Sequence, residues 1–235
     1  MSVASVNAAR RGRRPDPGRI SARTLTFLLL ALFLLFFLIP IVWLLLAVTK
    51  TQPGLVGGQP FSFGSLGALR SNWDKVLAFQ GGAVKTWMRN SVEYSLMALV
   101  ITLVVSIPAG YALAKMDFRG RRVLLITTLV VMLMPTAALV LPTFLEINYA
   151  HLVNTPLAVV LPYSFFPFGV YLTYIYFSTA VPNDLIAAAK IDGCGELSAF
   201  FRIALPLATP VVALVGFFSF VGNWNNFFLP YVMLP

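Results

Sequence analysis

Charged residues in this 235-residue chain are separated by gaps too long and too apolar for a soluble fold. Arg23 and Lys50 enclose 26 residues without a charge, Glu93 and Lys115 enclose 21, and Arg122 and Glu146 enclose 23. Glu146 and Asp184 enclose 37, interrupted only by His151, and 33 more follow Arg202. A helix crosses a hydrocarbon core of about 30 Å with about 20 apolar residues. Five segments meet that length, at about 25–48, 91–114, 123–145, 156–177 and 205–230. A soluble protein of this size carries roughly a quarter of its residues as charges; here the share is 11%. The predicted fold class is therefore all-α, a polytopic transmembrane helix bundle.

The net charge of +9 does not point to nucleic acid, because the cations are sorted by loop. Arg10, Arg11, Arg13, Arg14, Arg19 and Arg23 precede the first apolar run. Lys115, Arg119, Arg121 and Arg122 lie between the second and third, and Lys190 and Arg202 between the fourth and fifth. With alternating crossings all three groups fall on one side, and the positive-inside rule makes that side cytoplasmic. The N-terminus is thus expected inside. Residues 1–23 are read as a basic cytoplasmic tail and 24–235 as the membrane domain. The first run is too long for a signal-peptide h-region, so it is expected to stay as an anchor. Residues 49–90 read as an external loop rich in Gly, Pro and Phe. The single cysteine, Cys194, excludes an intramolecular disulfide and a cysteine-based metal cluster.

The segment at about 180–206 is too long for a plain connection, since helix–helix connections usually take about 2–8 residues. Pro182 and Asp184 suit a helix start, and Ala187, Ala188 and Ala189 are strong helix formers. Asp192-Gly193 supplies a turn in which glycine can take the left-handed conformation. A second short helix is expected from about Glu196 to Ala204. Helix, turn, helix outside the bilayer is a natural lever for a cytosolic partner.

In this pattern the segment resembles the coupling loop of bacterial ABC-importer permeases, the EAA motif. Ala188, Ala189, Gly193, Ile203, Leu205 and Pro206 stand at the family's spacing, and Ile191-Asp192-Gly193 is common in its carbohydrate branch. Ala187 stands where the family usually has glutamate; Asp184, one turn earlier, is the nearest carboxylate. Further similar stretches are Arg89-Asn90-Ser91, Ala109-Gly110-Tyr111-Ala112-Leu113-Ala114-Lys115, Phe118-Arg119-Gly120-Arg121, Met134-Pro135, Asn154-Thr155 and Gly222-Asn223-Trp224-Asn225-Asn226-Phe227. They look like the smaller permease subunit of the maltose or glycerol-phosphate type.

The resemblance implies a multi-pass bacterial inner-membrane subunit with six core helices, of which five are visible here and the last is lacking. It implies a second homologous permease, two cytosolic ATPases and an extracytoplasmic sugar-binding protein as partners, besides membrane lipid. ATPase coupling then falls to Asp184, Ala187, Ala188, Ala189, Asp192, Gly193, Arg202, Leu205 and Pro206. No cofactor or metal is expected, ATP being bound by the partner subunit. No GxxxxGK[ST] loop occurs in the sequence, so hydrolysis belongs elsewhere.

Aromatic faces stack on the C–H surfaces of sugars, and amides pair with hydroxyls. Tyr163, Asn223, Trp224, Asn225 and Asn226 are accordingly the candidates for the substrate pathway. Phe165, Phe166 and Phe168 fit packing better, and His151 and Glu93 fit a loop and an interface. The alternative function is an ion-coupled secondary transporter, which usually needs ionisable residues deep in the membrane; the middles of these five segments hold none. Paired carboxylates, HExxH and a Ser/His/Asp set are absent, which argues against an enzyme.

Overall fold

The computed structural model describes residues 17–234, with side chains from Arg23 onward. Of the six arginines assigned to a basic tail, only Arg23 therefore has a described side chain, and residues 1–16 lie outside the described residues. Helices dominate, and no strand occurs among the described residues. The chain divides into two compact units, residues 1–84 and 85–235.

The first unit opens with α1, Pro17–Ala47. The helix starts six residues before the expected end of the tail, because proline at a first helical turn gives up no hydrogen bond. Pro40 lies inside α1 without ending it. The apolar side chains from Leu25 to Leu45 stay exposed along nearly the whole helix, a surface fit for hydrocarbon rather than water. The loop expected after it is in fact folded. It contains α2, Gln52–Gly57, and α3, Leu66–Ala78. The amide of Asn72 donates to the carbonyls of Val48 and Lys50, both at 2.9 Å. Thr49 accepts from Ser65 N–H at 2.8 Å and, through Oγ1, from Gly64 N–H at 2.9 Å. The Lys50 ammonium caps the carbonyls of Gln59 and Pro60. A side chain at position 64 would lie 2.0 Å from the Thr49 carbonyl oxygen, so only glycine closes this turn.

The second unit is built around α4, Ala83–Lys115, which begins eight residues before the expected helix start. Ser95, Ala98, Thr102, Ser106 and Gly110 recur every three or four residues, and none is exposed. This stripe of small side chains lets neighbouring helices approach closely. A Cβ on Gly110 would meet the Thr173 Cβ at 2.4 Å.

Three expected single helices are broken, each next to a proline that removes a backbone donor. The third segment is α5, Arg121–Met132, and α6, Thr136–Tyr149, bent by 108° with Pro135 at the break. The fourth is α7, Pro156–Ser164, and α8, Pro167–Ala180, with Phe165 and Phe166 non-helical between them. After α9, Asn183–Ile191, the chain re-enters through α10, Glu196–Leu207, which is bent by 77° from α11, Thr209–Trp224. A last short helix, α12, covers Phe228–Met233.

By length and apolarity Arg23–Ala47, Ala83–Lys115 and Pro156–Ala180 can each cross a membrane. Counting each bent pair as one crossing gives the five spans read from the sequence.

Candidate functional site

Two regions of the second unit carry the candidate residues, one at each end of α4. At the end where α4 finishes, Asn183–Ile191 forms the first helix of the 180–206 segment and Glu196 starts the second. Between them Gly193 has φ 84°, the left-handed turn expected from Asp192-Gly193. The Lys190 ammonium and the Glu196 carboxylate pair at 2.5 Å across this turn. That partner holds the Lys190 amine above the usual lysine range. At Phe200–Ala204 the second helix widens to π-type bonding, and Leu205 N–H reaches back to the Phe200 carbonyl. Pro206, which has no N–H to give Arg202, follows directly.

This helix pair is bolted to the membrane helices by an apolar core. Ile107 and Tyr111 of α4, Phe177 of α8 and Val211 and Val215 of α11 pack with Ile186, Ala189, Phe200 and Ala204. The Tyr111 ring meets those of Phe177 and Phe200, with centroids 5.3 and 4.9 Å away. Lys115 at the end of α4 donates to the Val181 carbonyl at 2.6 Å and to the Asn183 side-chain oxygen at 2.5 Å. The nine coupling candidates therefore fall into two sets. Ala189 is buried and Leu205 packs on the core, so both anchor the pair. Asp184, Ala187, Ala188, Asp192, Gly193, Arg202 and Pro206 are exposed. Two apolar side chains beside the turn are not among the coupling candidates, Leu197 at 74% exposure and Ile191, quoted in the sequence only as part of Ile191-Asp192-Gly193, at 86%. Their signal was leucine or isoleucine flanking a turn outside the apolar runs.

At the other end of α4, all five substrate-pathway candidates line one cavity of about 520 Å³. Tyr163 comes from α7, Asn223 and Trp224 from the end of α11, and Asn225 and Asn226 from the break before α12. The α4 contribution, including Asn90, Ser91 and Tyr94, is not among the substrate-pathway candidates of the sequence; Asn90 falls in the expected loop 49–90, and Ser91 and Tyr94 in the expected helix 91–114. A second cavity of about 610 Å³ lies against Thr136, Thr143 and Glu146 of α6. Tyr163 and Asn226 line both, and the Tyr163 hydroxyl donates to the Asn226 carbonyl at 2.8 Å. Beneath Asn223 a run of neutral polar groups enters the bundle. The Asn223 amide reaches Ser219 Oγ at 3.5 Å, Ser219 Oγ reaches Thr102 Oγ1 at 3.4 Å, and Thr102 Oγ1 donates to the Ser164 carbonyl at 3.3 Å. Phe165 lines the second cavity, whereas Phe166 and Phe168 pack edge to face, Phe168 also against Phe218 of α11.

The family described as binding-protein-dependent transport system inner membrane component matches residues 106–235, which include the whole helix pair. The chain belongs to this family. Its members are transport components rather than enzymes, and this membership favours the importer over the ion-coupled alternative. The arabinooligosaccharides transport system permease protein AraQ of Bacillus subtilis is 33% identical over 215 residues, covering 91% of this chain and 74% of that protein. AraQ of Halalkalibacterium halodurans is 38% identical over 155 residues, 66% of this chain and 55% of that protein. The diacetylchitobiose uptake system permease protein NgcG of Streptomyces coelicolor is 31% identical over 207 residues, 86% of this chain and 66% of that protein. The chain thus spans between about half and three quarters of the length of these relatives. Its fold matches a crystal structure of a bacterial ABC transporter involved in the import of the acidic polysaccharide alginate. The TM-score is 0.82, with 23% identity over 95% of this chain and 78% of the other.

Proposed function

We propose that this inner-membrane transport component is the permease of an ATP-driven sugar importer, working with a second permease, two cytosolic ATPases and an extracytoplasmic sugar-binding protein. The observation that carries the reading is the helix pair around Gly193. It shares one apolar core with α4, α8 and α11, yet offers Ile191, Asp192 and Leu197 to an outside partner. Movement of a docked ATPase is then transmitted through Phe177, Phe200 and Tyr111 to the membrane helices rather than lost in a loose loop. Ala187 and Ala188 keep the surface low, so the partner's backbone can come close. The missing family glutamate at position 187 is offset by apolar docking through Ile191 and Leu197.

In this reading the N-terminus, residues 115–122 and the helix pair face the cytoplasm, and the cavity of Tyr163 and Asn223–Asn226 opens toward the outer side. Sugar released by the binding protein meets rings and amides there. ATP binding and hydrolysis by the partner subunits alternate the access, and the chain needs no cofactor of its own. The relatives' sugar-uptake names support a carbohydrate as the solute. The test is co-purification of the ATPase with Ile191→Asp and Leu197→Asp. Loss of the ATPase with normal membrane insertion is expected. Undiminished recovery from the double variant contradicts docking at this turn.

A further inference from the structure

We infer that the cavity at Tyr163 and Asn223–Asn226 selects neutral, short saccharides and excludes anionic ones such as uronates and glycerol phosphate. This rests on the sugar-importer reading above and narrows it. Among the described residues, none that lines the cavity carries a charge. Asn90, Asn223, Asn225 and Asn226 offer amides, and Tyr94, Tyr163 and Trp224 offer ring faces. Arg89 and Glu93 stand on the same stretch of α4 but do not line it. The adjoining cavity across Tyr163 has one charged group, the carboxylate of Glu146, which repels an anion. The polar run below Asn223 is hydroxyl and carbonyl only.

An anion leaving water needs a cation or a set of strong donors to offset its lost hydration. Among the described residues, neither cavity is lined by an ammonium or guanidinium. A neutral sugar is well served, because its hydroxyls both donate to and accept from amides and its C–H faces cover the rings. At about 520 Å³ the space falls in the usual range for small ligands, about 300–1,000 Å³. That suits a short oligosaccharide rather than a polymer.

The experiment uses the complete importer, with its second permease, ATPases and binding protein, in proteoliposomes loaded with ATP. The probes are radiolabelled neutral pentose and hexose di- and trisaccharides, uronate disaccharides and glycerol 3-phosphate. Neutral saccharides are expected to accumulate roughly tenfold or more faster than any anion. Asn225→Lys, at an exposed position, and separately Asn90→Lys place a cation at the cavity. Each is expected to raise anion uptake relative to neutral uptake by roughly tenfold, with ATPase co-purification unchanged. Wild-type uptake of anions as fast as neutral sugars overturns the inference, as does an unchanged ratio in both lysine variants. ATP-driven uptake of no saccharide at all overturns the importer reading itself and this inference with it.

Discussion

The Tyr163 hydroxyl donates to the Asn226 carbonyl at 2.8 Å, and both residues line both cavities. The bond ties α7 to the break between α11 and α12, where a carbonyl has no helical partner of its own. Its loss in Tyr163→Phe leaves the ring in place and removes about 0.5–1.5 kcal/mol. We expect normal insertion and uptake reduced severalfold, read from transport rates at equal membrane levels. Tyr163→Ala joins the two cavities and costs more, about 3–5 kcal/mol of stability.

Gly110→Val is expected to disrupt the second unit. The first added carbon already lies 2.4 Å from the Thr173 Cβ and 2.8 Å from the Tyr174 nitrogen. Overpacking of this kind costs about 1–3 kcal/mol or more. Gly216→Ala is the control, since its added carbon meets Leu99 at 3.6 Å, an ordinary contact. Thermal unfolding in detergent should fall clearly for Gly110→Val and stay near wild type for Gly216→Ala.

Gly193→Val should weaken ATPase recruitment without harming the membrane helices. The strain is local: φ is 84°, and no atom lies within 4 Å of the added carbon. A side chain in the left-handed region costs about 1–2 kcal/mol, and β-branching makes it worse. Gly195 has an ordinary extended conformation, φ −72° and ψ 166°, so Gly195→Val should be milder. Pull-down of the ATPase with each variant separates the two.

Much of this was legible in the sequence, and what was not has two physical causes, packing around proline and charge at a helix end. Charge-free runs located the spans because burial in lipid leaves no room for unpaired charge. Asp192-Gly193 announced a left-handed turn because so few residues tolerate it. Tyr163 and Asn223–Asn226 were chosen for their chemistry, and the fold brings them to one cavity. The breaks were not legible. Pro40, Pro108 and Pro142 lie inside continuous helices, whereas Pro135, Pro167 and Pro210 stand at breaks or first turns. A proline removes the same donor in each place; packing around it decides whether the helix bends. The early start of α4 is hidden by Lys85 and Arg89, charges that a membrane reading assigns to a loop.

The Lys190–Glu196 pair should brace the turn over the whole physiological range. The Lys190 pKa is raised, chiefly by its hydrogen bond to Glu196. Its contribution is thus fully present below the unfolded lysine value and disappears only as pH rises through the folded one. The stability difference between wild type and Lys190→Met should stay flat from about pH 6 to 9 and shrink in strong alkali. A change centred near neutral pH contradicts this assignment.

On the function proposed above, this chain is a passive membrane half driven through the Gly193 turn by a separate ATPase. The most direct measurement is ATP-dependent sugar uptake into proteoliposomes, comparing this chain alone with the assembled importer, and the assembled importer with its Gly193→Val form. Neither uptake nor ATP hydrolysis is expected of the chain alone, both are expected of the assembled importer, and little of either with Gly193→Val. Uptake or hydrolysis by the chain alone, or full activity of the Gly193→Val importer, would contradict that function.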